Sequence, residues 1–146
     1  MNIAVACDHG GVTLKKAVIA HLEKNGHTVQ DFGCYTPDSC DYSDFVAPAA
    51  RAVADGSCDR GVVMCTTGIG VSIVANKIPG IRCALLSDLM SAKLTRLHND
   101  TNMMALGQGV VGEKLALEIL DLWLATEFSG EERHVRRLGK VSQLDK

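Results

Sequence analysis

Apolar residues along this chain come in two rhythms. Short apolar runs at Ile3–Cys7, Thr28–Phe32, Gly61–Cys65, Cys83–Ser87 and Met103–Leu106 are each followed by a polar or glycine-bearing turn, the pattern of buried strands. Between them the spacing turns helical: Leu14, Val18 and Leu22 recur every four residues, and Leu115, Ile119, Leu122 and Trp123 fall at i, i+4, i+7 and i+8. Strands alternating with helices predict one doubly wound α/β domain, a parallel sheet covered by helices on both faces. In such sheets ligands bind beyond the carboxyl ends of the strands, so chemistry is sought in the residues that follow each run.

Composition narrows this picture without altering it. At 146 residues the chain is one ordinary domain, long enough to bury roughly 70% of its unfolded surface. No repeat or linker divides it, and the polar stretch Ser129–Lys146 is too short to be a second domain. A net charge of −2 gives no footprint for nucleic acid or an anionic membrane, which leaves a small molecule as the expected partner. The six cysteines contain no C-x-x-C pair, which disfavours a zinc site or a redox dithiol and reads as reduced thiols in a cytoplasmic protein. No basic leader precedes the first apolar run and no run reaches 18 residues, so neither secretion nor a membrane span is expected.

After the first strand comes Asp8-His9-Gly10-Gly11, two ionisable side chains before a glycine pair that can open a helix N-terminus. The corner suits an anion or a sugar hydroxyl; the plainer alternative is that Asp8 caps the helix and His9 is a solvated turn residue. After the third strand, Cys65-Thr66-Thr67-Gly68-Ile69-Gly70 sets a thiol, two hydroxyls and two glycines before an apolar helix. Backbone N–H groups in such a turn stabilise an oxyanion, and a thiol beside them can serve as a base. As a dinucleotide fingerprint the loop fails, because Ile73 stands where the third Gly or Ala belongs and the loop follows the third strand. It is no Walker loop either, since no Gly-Lys-Ser/Thr follows. Cys7 and Cys83 read as small buried hydrophobes.

Further on, His98 and Asn99 close a helix before the fifth strand, where a His also simply complements the helix dipole. Arg133 and Arg137 share a helical face at i, i+4, a spacing that grips a phosphate or forms a solvated basic face opposite Glu131 and Glu132.

With Asp41-Tyr42 and Ala75-Asn76-Lys77 added, these motifs stand in the order found in the type B ribose-5-phosphate isomerases, which the sequence closely resembles over almost its whole length. The resemblance implies a Rossmann-like three-layer α/β/α sandwich and a homodimer or tetramer with shared active sites, the segment 129–146 completing a neighbouring subunit's site. It implies no cofactor and no metal. By position, Cys65 would move the proton between C1 and C2, and the N–H groups from Thr66 through Gly68, Ile69 and Gly70 would hold the enediolate. Asp8, Thr67 and His98 would assist ring opening, Tyr42 and Asn99 would line the sugar, and His9, Arg133 and Arg137 would meet the phosphate.

Two positions depart from that family's pattern. Thr66 stands where Gly is usual, and Gly109 stands where an arginine commonly reaches the phosphate; Arg136 is the candidate to replace it. Ribose 5-phosphate is the expected substrate. Galactose 6-phosphate, a tetrose phosphate, a free sugar, or a non-catalytic sugar-phosphate-binding subunit are the alternatives.

Overall fold

The computed structural model describes residues 1–145. Among them are five strands, β1 (Asn2–Cys7), β2 (Thr28–Asp31), β3 (Arg60–Cys65), β4 (Cys83–Leu85) and β5 (Met103–Gly107). Six helices accompany them: α1 (Val12–Lys24), α2 (Tyr42–Ala54), α3 (Ile69–Ala75), α4 (Leu89–Asn99), α5 (Glu113–Ala125) and α6 (Glu132–Ser142). All strands pair in parallel in the order β2-β1-β3-β5-β4. Every strand expected from the apolar runs is present, with ends moved by a residue or two.

The order of strands matters for the site. The chain steps from β1 out to one edge, crosses back to the centre for β3, goes to the opposite edge for β4 and returns to insert β5 beside β3. As a result β3 is central, and the loops after β1, β3 and β5 emerge side by side; Cys7 lies opposite Met64 and Cys65 opposite Gly107.

Alternate side chains of each strand serve two separate cores. Ile3, Val5, Val62, Met64, Met104 and Leu106 face α1 and α5, while Ala4, Ala6, Val63 and Ala105 face α2 and α3. The alanines of the second face meet Ala49 and Ala50 of α2, which allows that helix to lie close. In α1, Leu14, Val18 and Leu22 are buried as their spacing predicts. In α5 the buried face is Ala116, Ile119, Leu120 and Trp123, and Leu115 is 37% exposed; the leucine-rich stripe favours the wrong side by one position because Ala116 carries little hydrophobic signal.

The edge strand β4 is capped by one side chain. Asn76 donates from Nδ2 to Cys83 O at 2.9 Å and accepts at Oδ1 from Cys83 N at 2.8 Å, acting as a short surrogate strand. A buried ion pair fixes the other edge: Lys15 Nζ meets Asp31 Oδ1 at 2.7 Å and donates to Cys34 O at 2.7 Å.

Candidate active site

Cys65 ends the central strand, with its thiol on the floor where three loops meet. Its Sγ accepts the Gly68 N–H at 3.0 Å and lies 4.0 Å from Thr67 Oγ1. A backbone donor aimed at sulfur stabilises negative charge there. The turn that delivers it requires Gly68, which sits at φ +78°; a Cβ there would stand 2.5 Å from Leu85 Cδ1 and 2.9 Å from the Leu106 carbonyl carbon. Burial pushes the Cys7 and Cys83 thiols up to about 12, so neither ionises near neutrality.

The loop N–H groups divide their work more than the sequence suggests. Gly68 N–H is spent on the thiol, and Ile69 N–H donates to Thr67 Oγ1 at 3.2 Å. The first intrahelical bond of α3 runs from Ser72 N to Gly68 O, which leaves Gly70 and Val71 as the forward-facing donors of that turn.

Around the thiol stand several of the predicted residues. Asp8 is buried and its Oδ1 accepts the Gly10 N–H at 2.8 Å, forming a turn of its own rather than capping α1, whose N-cap Gly11 has no side-chain bond. His9 is exposed, and its Nδ1 accepts the Cys40 N–H at 3.3 Å, which orients the ring. Tyr42 lays its ring against Gly70: a Cβ on that glycine would lie 3.1 Å from Tyr42 Cζ. Thr66 is exposed beside Gly10 and Gly109, whose N–H donates to Thr66 O at 2.9 Å.

The remaining predicted residues lie elsewhere. His98 and Asn99 end α4 just before the start of β5, at the amino ends of the strands, whereas Cys65 is at the carboxyl end of β3. The four steps from Met103 to Gly107, at about 3.3 Å each, put roughly 13 Å of strand between the two levels. Arg133 and Arg137 belong to α6, which packs on α4: His134 of α6 stacks on His98 with ring centres 4.5 Å apart. Arg133 pairs with Glu131 at 2.8 Å. At about 100° per helical residue, Arg136 points about 200° from buried His134, on the outer side of the helix. Asn99 also lines an open groove of about 530 Å³ along β4, with Ile81, Leu138 and Val141. The candidate residues of one chain thus fall into two groups, the thiol group at one end of the sheet and the imidazole–guanidinium group at the other.

Similarity to known proteins identifies the family. Residues 3–141 match the family model described as ribose/galactose isomerase. The chain belongs to the ribose/galactose isomerase family. Ribose-5-phosphate isomerase B of Escherichia coli is 42% identical over 144 residues, covering 99% of this chain and 96% of that protein. The ribose-5-phosphate isomerase B of Clostridium thermocellum superposes with a TM-score of 0.96 at 49% identity, over 99% of this chain and 97% of that one. That of Mycoplasma genitalium, solved with bound ribulose 5-phosphate, superposes at 0.93 with 37% identity, over 97% and 94%. As a member of this isomerase family the chain is an aldose–ketose isomerase, and its three-layer sheet is that of its relatives.

Three contacts near these residues escape a reading by motif. His134 sits inside the arginine cluster, yet its burial against His98 is visible only once α6 docks on α4. Cys40, which orients His9, lies thirty-one positions away in an irregular loop. Asn76 belongs to a recognisable motif, but its part in sealing β4 depends on the turn after α3. Among the described residues no three His, Cys, Asp or Glu side chains come together in a metal-binding group.

Proposed function

We propose that this isomerase interconverts ribose 5-phosphate and ribulose 5-phosphate through an enediolate, with Cys65 as the base that moves a proton between C1 and C2. The observation that carries this is the placement of Sγ at the end of the central strand with the Gly68 N–H 3.0 Å away. Aldose–ketose isomerisation needs one base reachable from two adjacent carbons and donors for the oxyanion; the Gly70 and Val71 N–H groups supply the second requirement. Ring opening falls to Asp8, Thr67 and His98, the sugar lies along Tyr42 and Asn99, and His9, Arg133 and Arg137 hold the phosphate. The relatives named for ribose 5-phosphate, one of them with bound ribulose 5-phosphate, support that substrate.

Because the two groups of candidate residues face opposite ends of one sheet, a complete site needs two copies, the α4–α6 half of one subunit docking over the Cys65 loop of its partner. Exposed Ile69 and Ile73, beside that loop, and the apolar side of the groove along β4, formed by Ile81, Leu138 and Val141, are candidate surfaces for such a contact. The assembly on this reading is a homodimer or tetramer, and six free cysteines support a reducing, cytoplasmic setting.

Mixing inactive variants tests both ideas. Cys65→Ala and His98→Ala subunits, each inactive alone, regain about a quarter of wild-type turnover when re-associated, since half the dimers are mixed and each mixed dimer holds one intact site. No recovery from dimers shown to exchange would refute the shared site. Deuterium from solvent enters the substrate carbon during turnover; near-normal isomerisation by Cys65→Ala would remove the thiol from its role. Absence of turnover on any sugar or sugar phosphate would favour a binding subunit.

A further inference from the structure

Thr66 is the first residue past the central strand, so it rises between the loops that follow β1 and β5. The residues facing it on both sides are glycines, and their surroundings explain why. A Cβ on Gly10 would collide with Thr66 Oγ1 and lie 3.1 Å from Thr66 N. A Cβ on Gly109 would stand 3.1 Å from Thr66 O and 3.2 Å from Thr66 Cγ2. The threonine side chain therefore fills the gap between the two loops, hydroxyl toward one and methyl toward the other.

This wedge is held from three directions. The Gly109 N–H donates to Thr66 O at 2.9 Å and the Gln108 N–H to Cys65 O at 2.8 Å, which ties the β5 loop down. On the other side the Asp8 N–H donates to Met64 O at 3.2 Å. Gln108 Oε1 also accepts the Leu14 N–H at 2.8 Å, linking the β5 loop to α1. A β-branched side chain in such a setting has little rotamer freedom, so it cannot swing aside for a ligand. Yet Thr66 is solvent-exposed and adjoins Cys65 in the chain, at the mouth of the site.

Resting on the isomerase reading above, we propose that Thr66 is a specificity-determining residue that limits the length of the sugar phosphate. With C1 and C2 held at Sγ, a substrate whose phosphate reaches toward His9 runs over exposed Thr66, where that side chain closes the gap between Gly10 and Gly109. Thr66 occupies there about the volume of one CHOH unit. Five-carbon sugar phosphates fit, and six-carbon sugar 6-phosphates are rejected.

The test is kcat/KM for ribose 5-phosphate and for allose 6-phosphate, which extends the ribose configuration by one CHOH, in wild type, Thr66→Gly and Thr66→Ser. Thr66→Gly raises the hexose-to-pentose ratio by about tenfold or more, the usual worth of one such unit in a pocket, chiefly through KM for the hexose. Thr66→Ser, which lacks only the methyl, moves it in the same direction by less, and carries the test should the glycine variant fail to fold by circular dichroism. A ratio changed by less than about twofold in folded, active variants overturns the length limit and leaves the isomerase reading standing. Wild type that turns over no sugar phosphate at all overturns both.

Discussion

Replacing Gly68 by alanine separates two costs that the catalytic loop imposes on its sequence. Its φ of +78° is a left-handed conformation that costs an L-residue about 1–2 kcal/mol. The new methyl would also lie 2.5 Å from Leu85 Cδ1, 2.9 Å from the Leu106 carbonyl carbon and 3.1 Å from Gly107 N. Leucine can move aside, but the backbone of β5 is held in the middle of the sheet, so an overpacking cost of about 1–3 kcal/mol is added. Gly26 supplies the control, with φ +82° and nothing within 4 Å of its Cβ position, so that Gly26→Ala carries the dihedral cost alone. Guanidinium unfolding curves for the two variants should therefore differ: Gly26→Ala loses about 1–2 kcal/mol and Gly68→Ala about 2–5 kcal/mol. Turnover of Gly68→Ala falls as well, because the shift carries the N–H away from Cys65 Sγ. Equal losses in the two variants would refute the claim that the loop is packed against β5 without room to spare.

Asp31→Asn leaves buried Lys15 facing a neutral partner and lowers stability by about 3 kcal/mol in denaturant titration, the lower end for a broken buried pair because Asp31 is partly exposed. An unchanged midpoint would mean that the Cys34 carbonyl alone suffices for the ammonium. Thr101→Val removes the acceptor of the buried Trp123 Nε1–H, now 2.9 Å from Oγ1, and costs about 1–3 kcal/mol; a neutral effect would show that water or another group replaces it. Burial, with the His98 ring stacked on it and Arg133 and Arg137 nearby, holds the His134 imidazole below its ordinary 6.5, and Glu131 opposes that shift. The fold thus favours the neutral ring, so this contribution to stability is complete above about pH 6.5 and is lost as pH falls below it. Unfolding midpoints followed from pH 7.5 to pH 5 should decline more steeply in wild type than in His134→Phe, and parallel curves would sink the assignment.

The parts of this fold readable in the sequence were those in which one residue's chemistry decides its place. Apolar runs reveal strands because a strand buried on both faces tolerates nothing else, and Cys65 is legible because it stands between such a run and a glycine turn. The face of α5 was less legible, since Ala116 is buried by the closeness of α5 to the sheet rather than by hydrophobicity. The separation of Cys65 from His98 follows from chain direction, since Cys65 ends β3 and His98 ends the helix that leads into the parallel strand β5; the motifs taken one by one do not reveal it. Thr66 and Gly109 look like two unrelated departures in the sequence, and the structure shows them in contact, each limiting what the other position can hold.

The late insertion of β5 has a consequence for the chain during synthesis. β3 and β4 leave the ribosome with nothing between them, and until Met103–Gly107 follows, β3 presents an unpaired edge of its own. The backbone that presses on Gly68 and the N–H that holds Thr66 O lie in β5 and the turn after it, so the same event that closes the sheet also sets the thiol loop. A nascent chain ending before Met103 has neither a finished sheet nor the contacts that fix the thiol loop, and its open central edge is where aggregation begins. The thiol loop of this protein therefore takes its final form with a strand that is late in the sequence and interior in space.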